Sequence, residues 1–375
     1  MPTIKCYDPK QTWAAEDELP KDAEALASSG KTVYVSEVDS KTDDPEFDYK
    51  IGIPEKKHEI QPQLGGFLNH PDYRVFQLHG SNAVYLYEEK HRGTLVIGKF
   101  FLSDRERDPA AASRKLEREY HNLAMMHGSG FSGSPHYIAR PLGRNDWLNR
   151  LLVIEYCYGE LLSSIIMRAI RNRDSGLLYA KLTALAYFLA RFHNNTASGW
   201  RIDFNEAAAY MDSLTGRLQF QNQIGANGAN ELYYLRDRWR EQPKMWEDCQ
   251  VFVHGDATPD NFLFGDGLAV ISFDLERLKR ADRVFDTGRV AAELMHFFLL
   301  MTGNKYAAEP FIGHFLWEYA CHFPDRERTF EQTTRRVPFY MGTTLLRIAR
   351  NPWLDWNYRL RLIHEAKQCL RRWYL

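Results

Sequence analysis

His254-Gly255-Asp256-Ala257-Thr258-Pro259-Asp260-Asn261 is the stretch on which the reading of this chain turns, with Asp274 thirteen residues beyond it at the end of the apolar run Leu268–Phe273. Asp256 and Asn261 stand five residues apart, room for a loop to turn back and bring both side chains into one cleft. Pro259 restricts the backbone between them. Asn261–Phe264 and Leu268–Ile271 then read as two short strands joined by Gly265-Asp266-Gly267, a hairpin signal. That hairpin is expected to carry Asp274 back beside Asn261.

One carboxylate to take a hydroxyl proton, with an amide and a second carboxylate to hold a metal on phosphates, is what phosphoryl transfer needs. His254, Gly255, Asp256, Pro259 and Asn261 match the His-Gly-Asp-x-x-Pro-x-Asn loop of the aminoglycoside phosphotransferase and choline kinase family, and Asp274, Glu276 and Asp286 fall at its following acidic positions. The chain therefore resembles that branch of the protein-kinase-like fold. The resemblance implies an α+β, bilobal architecture, with an antiparallel β N-lobe carrying one helix and a mainly helical C-lobe. It also implies ATP and Mg²⁺ as cofactors, Asp256 as the catalytic base, and Asn261 and Asp274 as metal ligands. Asp286 is expected to open a helix and brace the catalytic loop through backbone N–H groups. Two departures stand out: Thr258 replaces a residue that is often His or a cation, and Phe273 precedes Asp274 where Ile is frequent.

The N-lobe follows from strand chemistry. Tyr73–Leu78, Ala83–Tyr87 and Thr94–Phe100 are rich in β-branched and aromatic residues and are separated by turn residues, so they read as an antiparallel sheet. Leu95, Ile97 and Lys99 share a face by the period of two, and a lysine ending an apolar row needs an anion unless it lies on an edge strand open to solvent. Lys99 resembles the kinase lysine that contacts nucleotide phosphates. Arg114–His127 is helical in pattern, with Leu116, Tyr120 and Leu123 on one face. Glu119 flanks that stripe and is preferred over Glu117 as the partner of Lys99; the competing reading is a solvated charged face. Gly80-Ser81-Asn82 reads equally as a phosphate-approaching turn or as a plain hairpin turn. Tyr137–Gly143 and Arg150–Gly159 complete the lobe, and by resemblance Glu155, Tyr156 and Cys157 form the hinge that meets the adenine edge.

Beyond the hinge, Leu178, Leu182, Leu185, Leu189 and Phe192 repeat along one helix that closes at His193. Segment 194–250 is expected to hold inserted helices. Its Tyr210, Tyr233, Tyr234, Trp239 and Trp246 could line a cage for a quaternary ammonium, but core packing explains them better. Gly225–Glu231 reads as a flexible loop. Domain bounds are expected at 1–70 (an N-terminal extension with an accessory β segment or a partner contact), 71–158 (the nucleotide-binding N-lobe) and 159–375 (the helical C-lobe).

Composition excludes classes more than it selects one. The net charge is −1, which speaks against a generic nucleic-acid binder, and the five cysteines are scattered, which fits a reducing cytoplasm rather than a disulfide framework or zinc site. Nothing in the sequence has the length and apolarity of a membrane span. The expected function is ATP- and Mg-dependent phosphorylation of a small-molecule hydroxyl, with a nucleotide-binding pseudokinase or scaffold as the alternative. A protein kinase is disfavoured because no Ala-Pro-Glu follows Asp274. Residues 321–375 hold ten Arg and one Lys against five acids. Arg335, Arg336, Arg347, Arg350, Arg359 and Arg361 thus point either to an anionic or polyhydroxylated acceptor such as a sugar derivative, or to solvated helix faces with ordinary ion pairs.

Overall fold

Strand-forming alternation in the first described segment produces the expected sheet. The computed structural model describes residues 73–78, 83–90, 93–103, 106–172 and 175–374; the readings for residues 1–70 and for Gly80, Ser81 and Asn82 lie outside them. The chain divides into two compact units, 1–164 with 260–276, and 165–259 with 277–375.

In the first unit, β1 (Tyr73–Leu78), β2 (Ala83–Glu89), β3 (Leu95–Phe100), β6 (Pro141–Asn145) and β7 (Leu151–Glu155) form one antiparallel sheet in the order β1-β2-β3-β7-β6. One of its faces buries Tyr85, Tyr87, Val96, Phe100, Leu151 and Val153, which share it by the period of two along each strand. Gly98 lies on this face because a Cβ there would stand 2.7 Å from the Tyr87 ring. Leu95, Ile97 and Lys99 take the other face. Since β3 is flanked by β2 and β7, the edge-lysine reading is excluded.

Helix α1 (Pro109–Gly128) begins five residues before the expected Arg114. The cause is local: Asp108 accepts the Ala110 N–H at 2.9 Å, and Pro109 fits the first turn, where no backbone donor is needed. The buried face runs through Ala112, Leu116, Glu119, Leu123 and Met126, so Glu119 lies in the stripe while Tyr120 lies at its margin. A second sheet joins β4 (Ser132–Gly133), β5 (His136–Ile138), β8 (Glu160–Leu161), β9 (Phe262–Phe264) and β10 (Val270–Ser272). The run Tyr137–Gly143 is thus divided between two sheets. In the β9–β10 hairpin Phe262 faces Ser272 and Phe264 faces Val270.

The second unit is mainly helical: α2 (Gly176–Asn195), α3 (Phe204–Phe220), α4 (Ala226–Arg240), α5 (Val284–Thr302), α6 (Glu309–Ala320), α7 (Arg326–Ala349) and α8 (Trp356–Leu370). Leu178, Leu182, Leu185, Leu189 and Phe192 are all fully buried, as their spacing requires. The reading of Gly225–Glu231 as a flexible loop is wrong, since those residues form the start of α4. Gly225 takes an extended backbone just before the helix, Ala226 and Ala229 favour it, Ala229 is buried, and Glu231 is held by Lys367 at 2.8 Å and Arg371 at 2.6 Å. Two short strands, Val251–Val253 and Lys279–Ala281, pair antiparallel and bracket the residues next to His254.

Candidate active site

In the first unit, four charged side chains converge on one point. Lys99 Nζ donates to Glu119 Oε2 at 2.7 Å and to Asp274 Oδ1 at 2.8 Å, and lies 3.8 Å from Glu276 Oε2. The other glutamate considered, Glu117, instead pairs with Arg144. Asp274 reaches this point because its backbone turns sharply after β10, at φ 60°, a conformation that Asp tolerates better than most side chains. The hairpin brings Asn261 close by: its carbonyl accepts the Phe273 N–H at 3.4 Å, one residue before Asp274. Asn261 is itself buried.

Burial disfavours a charged Lys99, but Asp274, Glu119 and Glu276 outweigh it and hold the ammonium well above its ordinary pKa. Glu119 is pushed above the usual carboxylate range by burial, against Lys99, while Asp274 and Glu276 add to the upward push. Three carboxylates with oxygens within 4.8 Å of one another therefore face one ammonium. The Glu119 Oε1 atom is buried without a hydrogen-bond partner among the described residues. Surplus negative charge and hard oxygen donors suit a divalent cation such as Mg²⁺. The carboxylates Glu119, Asp274 and Glu276 fit the metal expected from the sequence, and of its two expected ligands Asp274 is among them, whereas Asn261 is placed here only through its backbone carbonyl.

Glu155 ends β7 and accepts the Arg140 N–H at 2.6 Å, while the Cys157 side chain is buried. A hinge role would rest on their backbone, as the resemblance implies.

In the second unit, Asp256 follows a glycine that no other residue could replace without movement. Gly255 has φ +79°, and a Cβ on it would stand 2.0 Å from the Arg277 carbonyl oxygen. Asp286 braces the turn: its carboxylate accepts the His254 N–H at 2.6 Å and the Gly255 N–H at 3.1 Å, and His193 Nε2 lies 3.1 Å away. Burial pushes Asp286 up, but the hydrogen bonds it accepts from His193 and from the His254 backbone N–H outweigh it and leave the carboxyl below its ordinary range. Helix α5 starts two residues earlier than Asp286, where Asp282 accepts the Val284 N–H at 3.0 Å.

Asp256 is gripped by arginines. Arg347 Nη2 and Arg289 Nη1 donate to its Oδ1 at 2.7 Å and 2.9 Å, and Arg277 Nε lies 3.6 Å from Oδ2. Burial raises the Asp256 pKa, yet Arg347, Arg289, Arg277 and His254 together hold it below the ordinary value. The carboxylate is therefore ionised at neutral pH. Arg289 was not singled out in the sequence, although it follows Asp286 by three residues and so shares its helix face.

The expected arginine set divides. Arg336 is buried against Asp282 at 3.0 Å and Asp248 at 2.7 Å. Arg335 pairs with Glu331 one turn away, Arg359 donates to the Ala349 carbonyl and to Gln221, and Arg361 donates to the Gly303 carbonyl. Arg336 and Arg359 are thus buried structural residues, and Arg335 and Arg361 lie on exposed helix faces. Of the aromatics, Trp239 is fully buried with its Nε1 on the Leu370 carbonyl, and Tyr234 is 59% exposed, so these two belong to core and surface rather than to a cage.

A family model described as the phosphotransferase enzyme family matches residues 72–317. No curated protein sequence matches the chain. Among solved structures, the chain is similar to an ADP-bound aminoglycoside phosphotransferase APH(2'')-Ib at 12% identity, covering 85% of this chain and 99% of that one with a TM-score of 0.51. It is similar to the GDP complex of aminoglycoside 2'-phosphotransferase-IIIa at 15% identity, with 84% and 99% covered and a TM-score of 0.53. A Plasmodium vivax ethanolamine kinase aligns at 12% identity over 81% of this chain and 82% of that one, with a TM-score of 0.51. At such identities the likeness is one of fold.

Proposed function

Because the chain belongs to the phosphotransferase enzyme family and shares its kinase-like fold, we propose that it transfers the γ-phosphoryl group of ATP to a hydroxyl of a small, sugar-like or anionic metabolite. Small-molecule phosphotransfer is the family's activity. The observation that carries the finer reading is the convergence of Lys99, Glu119, Asp274 and Glu276 in one unit, with an ionised, backbone-braced Asp256 five residues before Asn261 in the chain.

Asp256 orients the acceptor hydroxyl and takes its proton. The hydroxyl oxygen forms a bond to the γ-phosphorus, the bond from that phosphorus to the β,γ-bridging oxygen breaks, and ADP leaves with the electron pair. Lys99, positioned by Glu119, contacts the α and β phosphates, and Asn261 and Asp274, with Glu276 alongside, are the residues that would hold Mg²⁺. That ion, when bound, neutralises charge on the transferring and leaving oxygens. The hinge, Glu155 to Cys157, is assigned to the adenine edge, and nucleotide complexes of the similar ADP-bound and GDP-bound enzymes support nucleotide use here. The second reading, a nucleotide-binding pseudokinase, is disfavoured because Lys99, Asp256, Asn261 and Asp274 are all present.

Removing a general base costs roughly 10² to 10⁴ in rate. Asp256→Asn is expected to lower ATP turnover by that factor while calorimetric Mg-ATP affinity stays near wild type, and Asp274→Ala is expected to weaken Mg-ATP binding itself. Full turnover by Asp256→Asn would remove Asp256 from the chemistry.

A further inference from the structure

Helix α5 grips the turn before Asp256 with two side chains one helical turn apart. Asp286 accepts the Gly255 N–H at 3.1 Å, and Arg289 Nη1 donates to the Gly255 carbonyl at 2.5 Å, so both backbone groups of that residue are held from one helix. The same Arg289 nitrogen donates to Asp256 Oδ1 at 2.9 Å. A guanidinium NH₂ carries its hydrogens in a rigid plane. The Gly255 carbonyl and the Asp256 carboxylate are therefore tied to each other through a single donor atom.

Arg289 is itself hard to move. It is 2% exposed, and its Cζ lies 4.8 Å from the centroid of the Phe285 ring, one turn earlier on α5. Gly288, the residue before it, lets α7 come close: a Cβ there would stand 2.5 Å from Tyr340 Cβ. From that helix Arg347 reaches Asp256 Oδ1 at 2.7 Å and Glu293 Oε1 at 3.4 Å, both of them side chains. Arg347 thus supplies charge to the carboxylate, whereas Arg289 supplies charge and also holds the chain that carries it. All of these residues belong to the second unit.

We infer that Arg289 is a positioning residue: by binding the Gly255 carbonyl and Asp256 Oδ1 through one nitrogen, it fixes the direction in which the Asp256 carboxylate meets the acceptor hydroxyl. The inference rests on the hydroxyl-kinase reading of Asp256 and adds to it the group that aims the base. An aspartate unconstrained by such a contact turns among staggered rotamers. A general base must lie within about 2.6–3.2 Å of the atom whose proton it takes, and a displacement of about 1 Å can cost on the order of 10² in rate. Lysine in place of Arg289 would keep the charge but present it as a compact point on a different reach, so attraction would be restored and direction would not.

The test follows ADP release from Mg-ATP by the full chain, with water as acceptor and in parallel with D-glucose, ethanolamine and kanamycin. Arg289→Lys is expected to lower kcat by roughly 10- to 10²-fold with the KM for ATP unmoved. Arg289→Met is expected to lower it further. Since methionine deprives the buried Asp256 carboxylate of a partner, Arg289→Met is also combined with Asp256→Asn, whose neutral amide needs no cation. The two losses are expected not to add, so that the double variant matches Asp256→Asn alone, as for residues that act as one unit. Arg289→Met losses of equal factor in both backgrounds would mark a purely structural role and overturn the inference, as would full kcat in Arg289→Lys. Full ADP release by Asp256→Asn, or none by the wild type with any acceptor, would instead remove the kinase reading, and the inference with it.

Discussion

Gly255 shows how one residue decides the chemistry beside it. Its positive φ and the 2.0 Å approach to the Arg277 carbonyl mean that any side chain must push backbone aside. Strain of this kind costs on the order of 1–3 kcal/mol, and the movement would carry His254 and Asp256 with it. Gly255→Ala is therefore expected to lower both the urea midpoint and kcat, and unchanged kcat in a folded variant would separate the turn from catalysis. At Asp256 the sign of the pH effect follows from its depressed pKa. A carboxylate lowered in the fold is ionised above that lowered value, so the acid limb of the rate profile should lie below the ordinary carboxylate range. It also stabilises the fold above the unfolded value, near 4, and this contribution is lost as pH falls through the folded value. Arg347→Gln removes the largest downward influence and should move the acid limb up in pH, which a kcat against pH profile would show.

Helices explain which expectations held at the scale of elements. The α2 stripe was legible because five large apolar residues repeat along one face, and nothing in the tertiary fold competes with that period. The start of α1 was not, since Pro109 and the three alanines after it carry no apolar period; the Asp108 cap decides it. The start of α4 failed for the opposite reason: Gly225, Gly228 and two asparagines look like turn chemistry, but packing against α8 through Glu231, Lys367 and Arg371 holds them helical. Helices α7 and α8 meet at Gly342, where a Cβ would stand 2.6 Å from Leu370 Cγ and 3.1 Å from the Ala366 carbonyl oxygen. Overpacking there costs roughly 1–3 kcal/mol, and a β-branched residue recovers little of glycine's low helix propensity. Gly342→Val should lower the urea midpoint accordingly with the m-value unchanged.

At the scale of the whole molecule, buried imidazoles set part of the acid stability. Burial pushes His296 down to about 4, and His193, buried against Asp286 and Tyr319, is also lowered because desolvation outweighs the Asp286 hydrogen bond. Each imidazole is neutral in the fold but takes a proton near pH 6.5 once unfolded. The stability they contribute is fully present above that value and is lost as pH falls from 6.5 toward 4 for His296. For His296 this amounts to about 1–3 kcal/mol by linkage. Urea midpoints at pH 7.5 and 5 should differ less in His296→Gln than in the wild type. Among the described residues no helix is long and apolar enough to cross a membrane.

What the sequence determined by itself was local: the periods of β1 to β3 and α2, the hairpin between Asn261 and Asp274, and the presence of residue types suited to phosphate and metal. Periodicity and turn chemistry act over a few residues, so they can be read from a single chain. The sequence already favoured Glu119 over Glu117, but tertiary structure alone placed Glu276 beside Lys99, divided Tyr137–Gly143 between two sheets and set Arg347 against Asp256 while Arg336 went to Asp248 and Asp282. Those outcomes depend on which charge ends up desolvated against which partner. That energy exists only once residues far apart in the chain, such as Lys99 and Asp274 or Asp256 and Arg347, are brought within hydrogen-bond distance.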